Sequence, residues 1–94
     1  MAILTPDDLA RCKEIANGDL MVHRIVEEVA AQTGISAKDI KGNRRYANVA
    51  AARQLVYYVA HANGVTIPAI ALAMGRDAST VFHGIKAERS RRGE

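Results

Sequence analysis

One kind of punctuation recurs along the chain: a Ser, Thr or Asp, then apolar residues three and four apart, then a Gly or Asn-Gly. Thr5-Pro6-Asp7-Asp8, Asp19, Ser36, Thr66-Ile67-Pro68 and Asp77 are starts of this kind; Asn17-Gly18, Gly34, Gly42-Asn43, Asn63-Gly64 and Gly75 are stops. A capping side chain accepts from the free amides of a first helical turn. Pro is tolerated in that turn because its missing N–H had no intrahelical partner, and Gly closes the last turn in the left-handed region. Val and Ile fall mostly at helical spacing with Ala between them, and few segments alternate as strands do. The pattern predicts a short first helix broken at Asn17-Gly18 and a second from Asp19 to about Thr33. A third follows from Ser36, with Asp39 completing an approximate capping box. A long one spans about Tyr46–Ala62, another Ile67–Met74, and a last runs from Asp77 into Glu88, leaving RSRRGE frayed.

The apolar positions supply a core. Met21, Val22, Ile25, Val26 and Val29 make one wide stripe, and Val49, Ala52, Val56 and Val59 another. With 49% hydrophobic residues but only 4% aromatic and no Trp, that core must be built from Ala, Val, Ile and Leu, which suits closely packed helices. Tyr57-Tyr58 belongs with the packing before it belongs with any base. Ninety-four residues make one small domain, an all-α bundle of about five to six helices.

Other classes find little support. The single Cys12 excludes an intramolecular disulfide and reads as a partly buried helical thiol. No apolar run approaches the ~20 residues of a membrane span, and the N-terminus lacks the basic and apolar regions of a signal peptide, so a cytoplasmic protein with no membrane partner is expected. His23, His61 and His83 are dispersed without metal-site spacing, so no metal, no cofactor and no catalytic residue is assigned.

Charge is uneven. Residues 1–37 carry three basic and six acidic groups, while residues 38–94 carry ten basic and four acidic. The basic part points to a polyanion partner, and the acidic part to a possible protein partner. Arg89–Arg92, after the last helix, reads either as a solvated tail or, because it follows the recognition helix, as a further phosphate clamp.

Ile67–Met74, a turn at Gly75 and a helix from Ala78 form a helix-turn-helix pattern. Ala71 is small where the helices must meet, Gly75 can take positive φ, and Val81 and Ile85 face inward. In such a motif the start of the second helix meets base edges. Asp77 can accept from a base amino group, Ser79 and Thr80 can donate or accept, and the Thr80 methyl can touch thymine.

Gly75-Arg76-Asp77-Ala78-Ser79-Thr80-Val81-Phe82-His83 resembles the GRDHTTVLH signature of the C-terminal DNA-binding domain of DnaA, the bacterial replication initiator. Asn43-Arg44-Arg45 is similar to that family's KRR loop, Val49–Gln54 to its VARPRQ segment, and Thr66–Ala71 to its SLPEIG helix start. The resemblance covers about residues 20–90. It implies a bundle that also resembles the Trp repressor, a 19–90 DNA-binding domain, an extension over 1–18 and a basic tail over 91–94. It further implies minor-groove insertion by Arg45, and phosphate contacts from Arg44, Arg53, Gln54, Thr66, Ile67 and His83. Major-groove reading would fall to Pro68, Asp77, Ala78, Ser79 and Thr80. Ala78 stands where the family usually has His, and Ala51 and Ala52 replace a basic residue and a proline, so a relaxed or altered target is expected. No GxxxxGK[ST] loop is present, and no nucleotide is expected. The expected function is sequence-specific binding of double-stranded DNA at boxes of the DnaA type, regulating replication or transcription without enzymatic activity. The alternative is a protein-interaction module that kept the fold and lost the reading, with Glu27-Glu28 on its docking face.

Overall fold

A computed structural model describes residues 5–94, the side chains at 11 and 14–16 excepted. The first four residues of the expected N-terminal extension lie outside the described residues. The described chain is all-helical: α1 (Pro6–Thr33), α2 (Ala37–Lys41), α3 (Ala47–Ala62), α4 (Ile67–Met74) and α5 (Ala78–Arg92). Three of the starts act through their side chains. Thr5 and Asp8 form a reciprocal capping box, with Asp8 N–H donating to Thr5 Oγ1 at 3.2 Å and Thr5 N–H to Asp8 Oδ2 at 3.1 Å. Ser36 Oγ accepts from Asp39 N–H at 3.1 Å, and Thr66 Oγ1 from Ala69 N–H at 3.3 Å.

The expected break at Asn17-Gly18 does not occur: α1 runs 28 residues straight through it. Gly18 is buried, and a Cβ there would lie 3.3 Å from Val65 Cγ1 and 3.5 Å from Ala69 Cβ. The glycine therefore serves close approach of α1 to the segment opening α4, at a helix-propensity cost of about 1 kcal/mol relative to Ala. Asp19 caps nothing; it sits inside the helix, 3.3 Å from His23 Nε2. Glu27 and Glu28 are exposed on the same helix.

α3 and α4 each pack against α1 on one side and α5 on the other, while α2 bridges α1 and α3. Val22, Val26, Ile40, Val56, Ile70 and Val81 are fully buried between these layers, and Tyr57 is the largest side chain among them. Met21, placed in the stripe by its spacing, is exposed instead, and Val59 is half-buried. Cys12 is exposed, not partly buried. Its turn belongs to the first part of α1, which projects from the bundle: the molecule measures 48 × 27 × 20 Å, and its 14.2 Å radius of gyration exceeds the ~12 Å of a compact chain of this length.

The tail is also more ordered than its composition suggests. α5 continues to Arg92 because Glu88, 9% exposed, accepts from Arg91 Nη1 at 2.6 Å and from Arg92 Nε at 2.9 Å. Arg92 lies over the Tyr58 ring at 4.1 Å, and the Tyr58 hydroxyl donates to the Glu94 carboxylate at 3.0 Å. Arg91 and Arg92 are thus paired with Glu88 at the end of an ordered helix and do not fray, while their side chains remain partly exposed. Three arginines in the last turn also complement the helix dipole. Among the described residues no helix is long and apolar enough to cross a membrane.

Candidate nucleic-acid interface

α4 ends in a tight left-handed turn. Gly75 sits at φ 64°, ψ 39°; its N–H donates to Leu72 O at 3.3 Å, and Arg76 N–H donates to Ala71 O at 2.8 Å. This double closure of the last turn is a Schellman motif, and the positive φ suits glycine. It delivers the chain directly into α5, whose inner face carries Val81 and Ile85, 0% and 3% exposed. Ala71, 6% exposed, lies in the same buried cluster.

Asp77 occupies the N-cap of α5 with extended dihedrals, but its side chain makes no cap hydrogen bond. In this it differs from Thr5, Ser36 and Thr66. Asp77, Ala78, Ser79 and Thr80 are all exposed. The first helical hydrogen bond of α5 is Val81 N–H to Asp77 O at 3.2 Å, so the amides ahead of it face outward as a helix N-terminus. Thr66 and Pro68 are exposed at the start of α4, and Ile67 is half-buried.

α3 and α5 form a concavity of ≈ 350 Å³ lined by Arg53, Gln54, Thr80 and His83, with Tyr57 and Gly84 among its other walls. Three of the expected phosphate residues therefore share one hollow with one expected reading residue. Gly84 permits this approach: a Cβ there would lie 2.5 Å from Tyr57 Cδ2 and 2.9 Å from Tyr57 Cε2. Gln54 Oε1 accepts from Arg91, a donor-only group, so its amide N–H2 is the end left for other partners.

Arg44 and Arg45 lie in the exposed α2–α3 loop. Arg44 Nε is 3.4 Å from Asp39 Oδ1, an exposed pair of small energetic weight. Arg53 reaches the loop from α3. Its Nε donates to Ile40 O at 2.7 Å, and its Nη2 to Asp39 O and Arg44 O, each at 3.2 Å. Nη1 is left without a partner among the described residues. Burial, and then the neighbouring Arg76 guanidinium, push the Arg53 pKa down from its ordinary value. Burial pushes the Tyr57 hydroxyl up, against the pull of the same two cations.

Two features escaped the sequence reading. Arg76, between α4 and α5, donates through Nη2 to Gly42 O across the domain; nothing in its spacing pointed there. Phe82 is 46% exposed on α5, with Lys86 Nζ 5.5 Å from its ring centroid. As the chain's one Phe, placed two residues beyond the reading turn, it could have been singled out.

A short helix closed by a glycine turn, followed by a helix whose first turn is exposed and whose inner face is buried, is a helix-turn-helix. The family model described as bacterial dnaA protein helix-turn-helix matches residues 22–87, and the chain belongs to that family. The chromosomal replication initiator protein DnaA of Tropheryma whipplei (strain Twist) is 33% identical over 63 residues, which cover 66% of this chain and 13% of that protein. The protein of the same name from Kosmotoga olearia is 36% identical over 63 residues, covering 66% and 14%. The chain thus matches only a small part of the length of these relatives. No solved structure matches it.

Proposed function

We propose that residues 19–90 bind duplex DNA sequence-specifically, at sites related to the initiator boxes of the family. The first turn of α5 enters the major groove, where Asp77, Ser79 and Thr80 meet base edges and the Ala78 methyl offers only an apolar contact. Pro68 lies at the groove edge. Arg45 reaches the adjacent minor groove, whose negative potential favours a guanidinium over narrow A·T-rich stretches. Thr66 and Ile67 lie against the backbone, Arg44 approaches it from the loop, and the hollow of Arg53 Nη1, the Gln54 amide and His83 takes a phosphate. The observation that carries this reading is the Asp77 carboxylate. It stands exposed at an N-cap without capping its helix, beside three exposed residues, while a cluster of phosphate-type donors opens next to it. Such a domain regulates replication or transcription by occupying sites, with no ATP-driven step of its own.

The test has two parts. Selection of bound duplexes from a random pool returns a box with an A·T-rich flank. A salt titration on that box gives a log–log slope near −4 to −5 if ~5 phosphates are contacted. A complex indifferent to salt, or none at low salt, overturns the reading and leaves a protein-interaction module.

A further inference from the structure

The α2–α3 loop carries Arg45 yet has little of its own to hold it. Asn43, Arg44, Arg45 and Tyr46 are all exposed, and Tyr46, the N-cap of α3, makes no side-chain cap hydrogen bond. Gly42 closes α2 in an extended conformation, with its N–H donating to Asp39 O at 3.2 Å. No apolar side chain of the loop enters the core. What reaches it are two guanidiniums from elsewhere in the fold: Arg53, which bonds the Arg44 carbonyl in the loop and the Asp39 and Ile40 carbonyls of α2 before it, and Arg76 on the carbonyl of Gly42. Arg76 directly precedes Asp77, the N-cap of α5. The loop is therefore tied to the residue directly before the N-cap of the recognition helix.

We propose that Arg76 is a positioning residue for DNA recognition, latching the α2–α3 loop to the start of α5 so that Arg45 stands at a fixed reach from the major-groove reading turn. This rests on the DNA-binding reading above. Arg76 acts through Arg45 without touching DNA, and Arg53 is the second anchor of the same loop. Arg76 makes the contact through Nη2, and its Nε is buried without a partner among the described residues. A planar fork of donors holds a carbonyl in one direction, whereas a lysine ammonium is a flexible point charge. Backbone carbonyls also suit two cations close together, since each accepts a hydrogen bond whatever the neighbouring charge.

The consequence is a coupling between the two grooves. Losing the latch leaves the Asp77–Thr80 turn intact on its buried helix but lets Arg45 wander, so the minor-groove contribution falls while major-groove discrimination remains. Arg76→Lys keeps the charge and most of the stem. It is expected to lose most of the affinity that Arg45→Ala loses, on the order of tenfold, with the A·T flank preference flattened and the base preferences under α5 retained. In an Arg45→Ala background, Arg76→Lys is expected to cost nothing more. Additive losses in this double-mutant cycle overturn the proposal, because they mean that Arg76 acts on DNA or on the fold independently of Arg45.

A second measurement needs no DNA. Backbone ¹⁵N relaxation of the free protein is expected to give order parameters near ~0.85 for residues 43–46 in the native chain and below ~0.6 in Arg76→Lys, with α5 unchanged. Equal values in both proteins refute the latch even if DNA binding is confirmed. A drop confined to 43–46 upholds it even if the native protein binds no duplex, in which case it is the DNA reading that fails.

Discussion

The two elements that would grip DNA are held in opposite ways. The start of α5 is rigid through its own helix: a Schellman turn sets its entry, and Val81, Gly84 and Ile85 seat its inner face. The 42–46 loop has no regular structure and no buried side chain, and its backbone is held at Arg44 O by Arg53 from α3 and at Gly42 O by Arg76 from the α4–α5 turn. The entry turn of the first element is specified by residues next to each other in sequence, and its seat by apolar packing on α3. The second is specified by residues 9 to 34 positions away from their carbonyls. Damage to packing should therefore disable the helix, and damage to a few polar contacts should disable the loop.

The largest expected effect breaks the first arm. Gly84→Val places a branched side chain where even a Cβ lies 2.5 Å from the Tyr57 ring. Overpacking of this kind costs about 3 kcal/mol. In a domain of this size each kcal/mol shifts the melting temperature by about 4–8 °C, so a thermal melt followed by circular dichroism should show a drop of more than ten degrees. An unchanged melt would mean that α5 does not sit as closely on α3 as the structure places it.

Arg45→Ala addresses the second arm and should separate binding from stability. A binding titration is expected to lose roughly 1–3 kcal/mol and the flank preference, while the melt stays within about 0.5 kcal/mol because the side chain is exposed. Full retention of affinity would reduce the loop to solvated charge.

The smallest effect sharpens the contrast within the reading turn. Ala78 is exposed, so Ala78→His can be accommodated without disturbing the core. The added ring is expected to restore discrimination on the order of 1 kcal/mol at one base pair of the box, with the preference set by Arg45 unchanged. Competition across single-base variants of the box measures this. Identical profiles for the two proteins would mean that residue 78 does not face the bases.

Much of the fold was legible because helix starts and stops are local chemistry. Thr5, Ser36 and Thr66 cap as their side chains and neighbours require, Gly75 turns the chain between α4 and α5, and the helical spacing of Val22, Val26, Val56, Val81 and Ile85 marks buried faces correctly. The start of α5 was legible for the same reason, including Asp77 as its N-cap. The loop was legible only as a basic stretch. Arg53 was assigned to phosphate alone, and its three carbonyl partners could not be anticipated, since they lie 9 to 14 residues away and carry no sequence signal.

Most helix boundaries and the glycine turn follow from sequence alone, because capping, propensity and periodicity act within a few residues of one another. Tertiary structure alone decided what Gly18 does, whether the basic tail is free, and where Arg76 points. A glycine in a helical pattern is a stop if nothing faces it and a packing site if Val65 does. An arginine is a free cation until a buried carboxylate such as Glu88, or a carbonyl such as that of Gly42, comes within reach. Local preferences amount to about 1 kcal/mol per residue, so burial and charge-assisted hydrogen bonds from distant parts of the chain are large enough to override them.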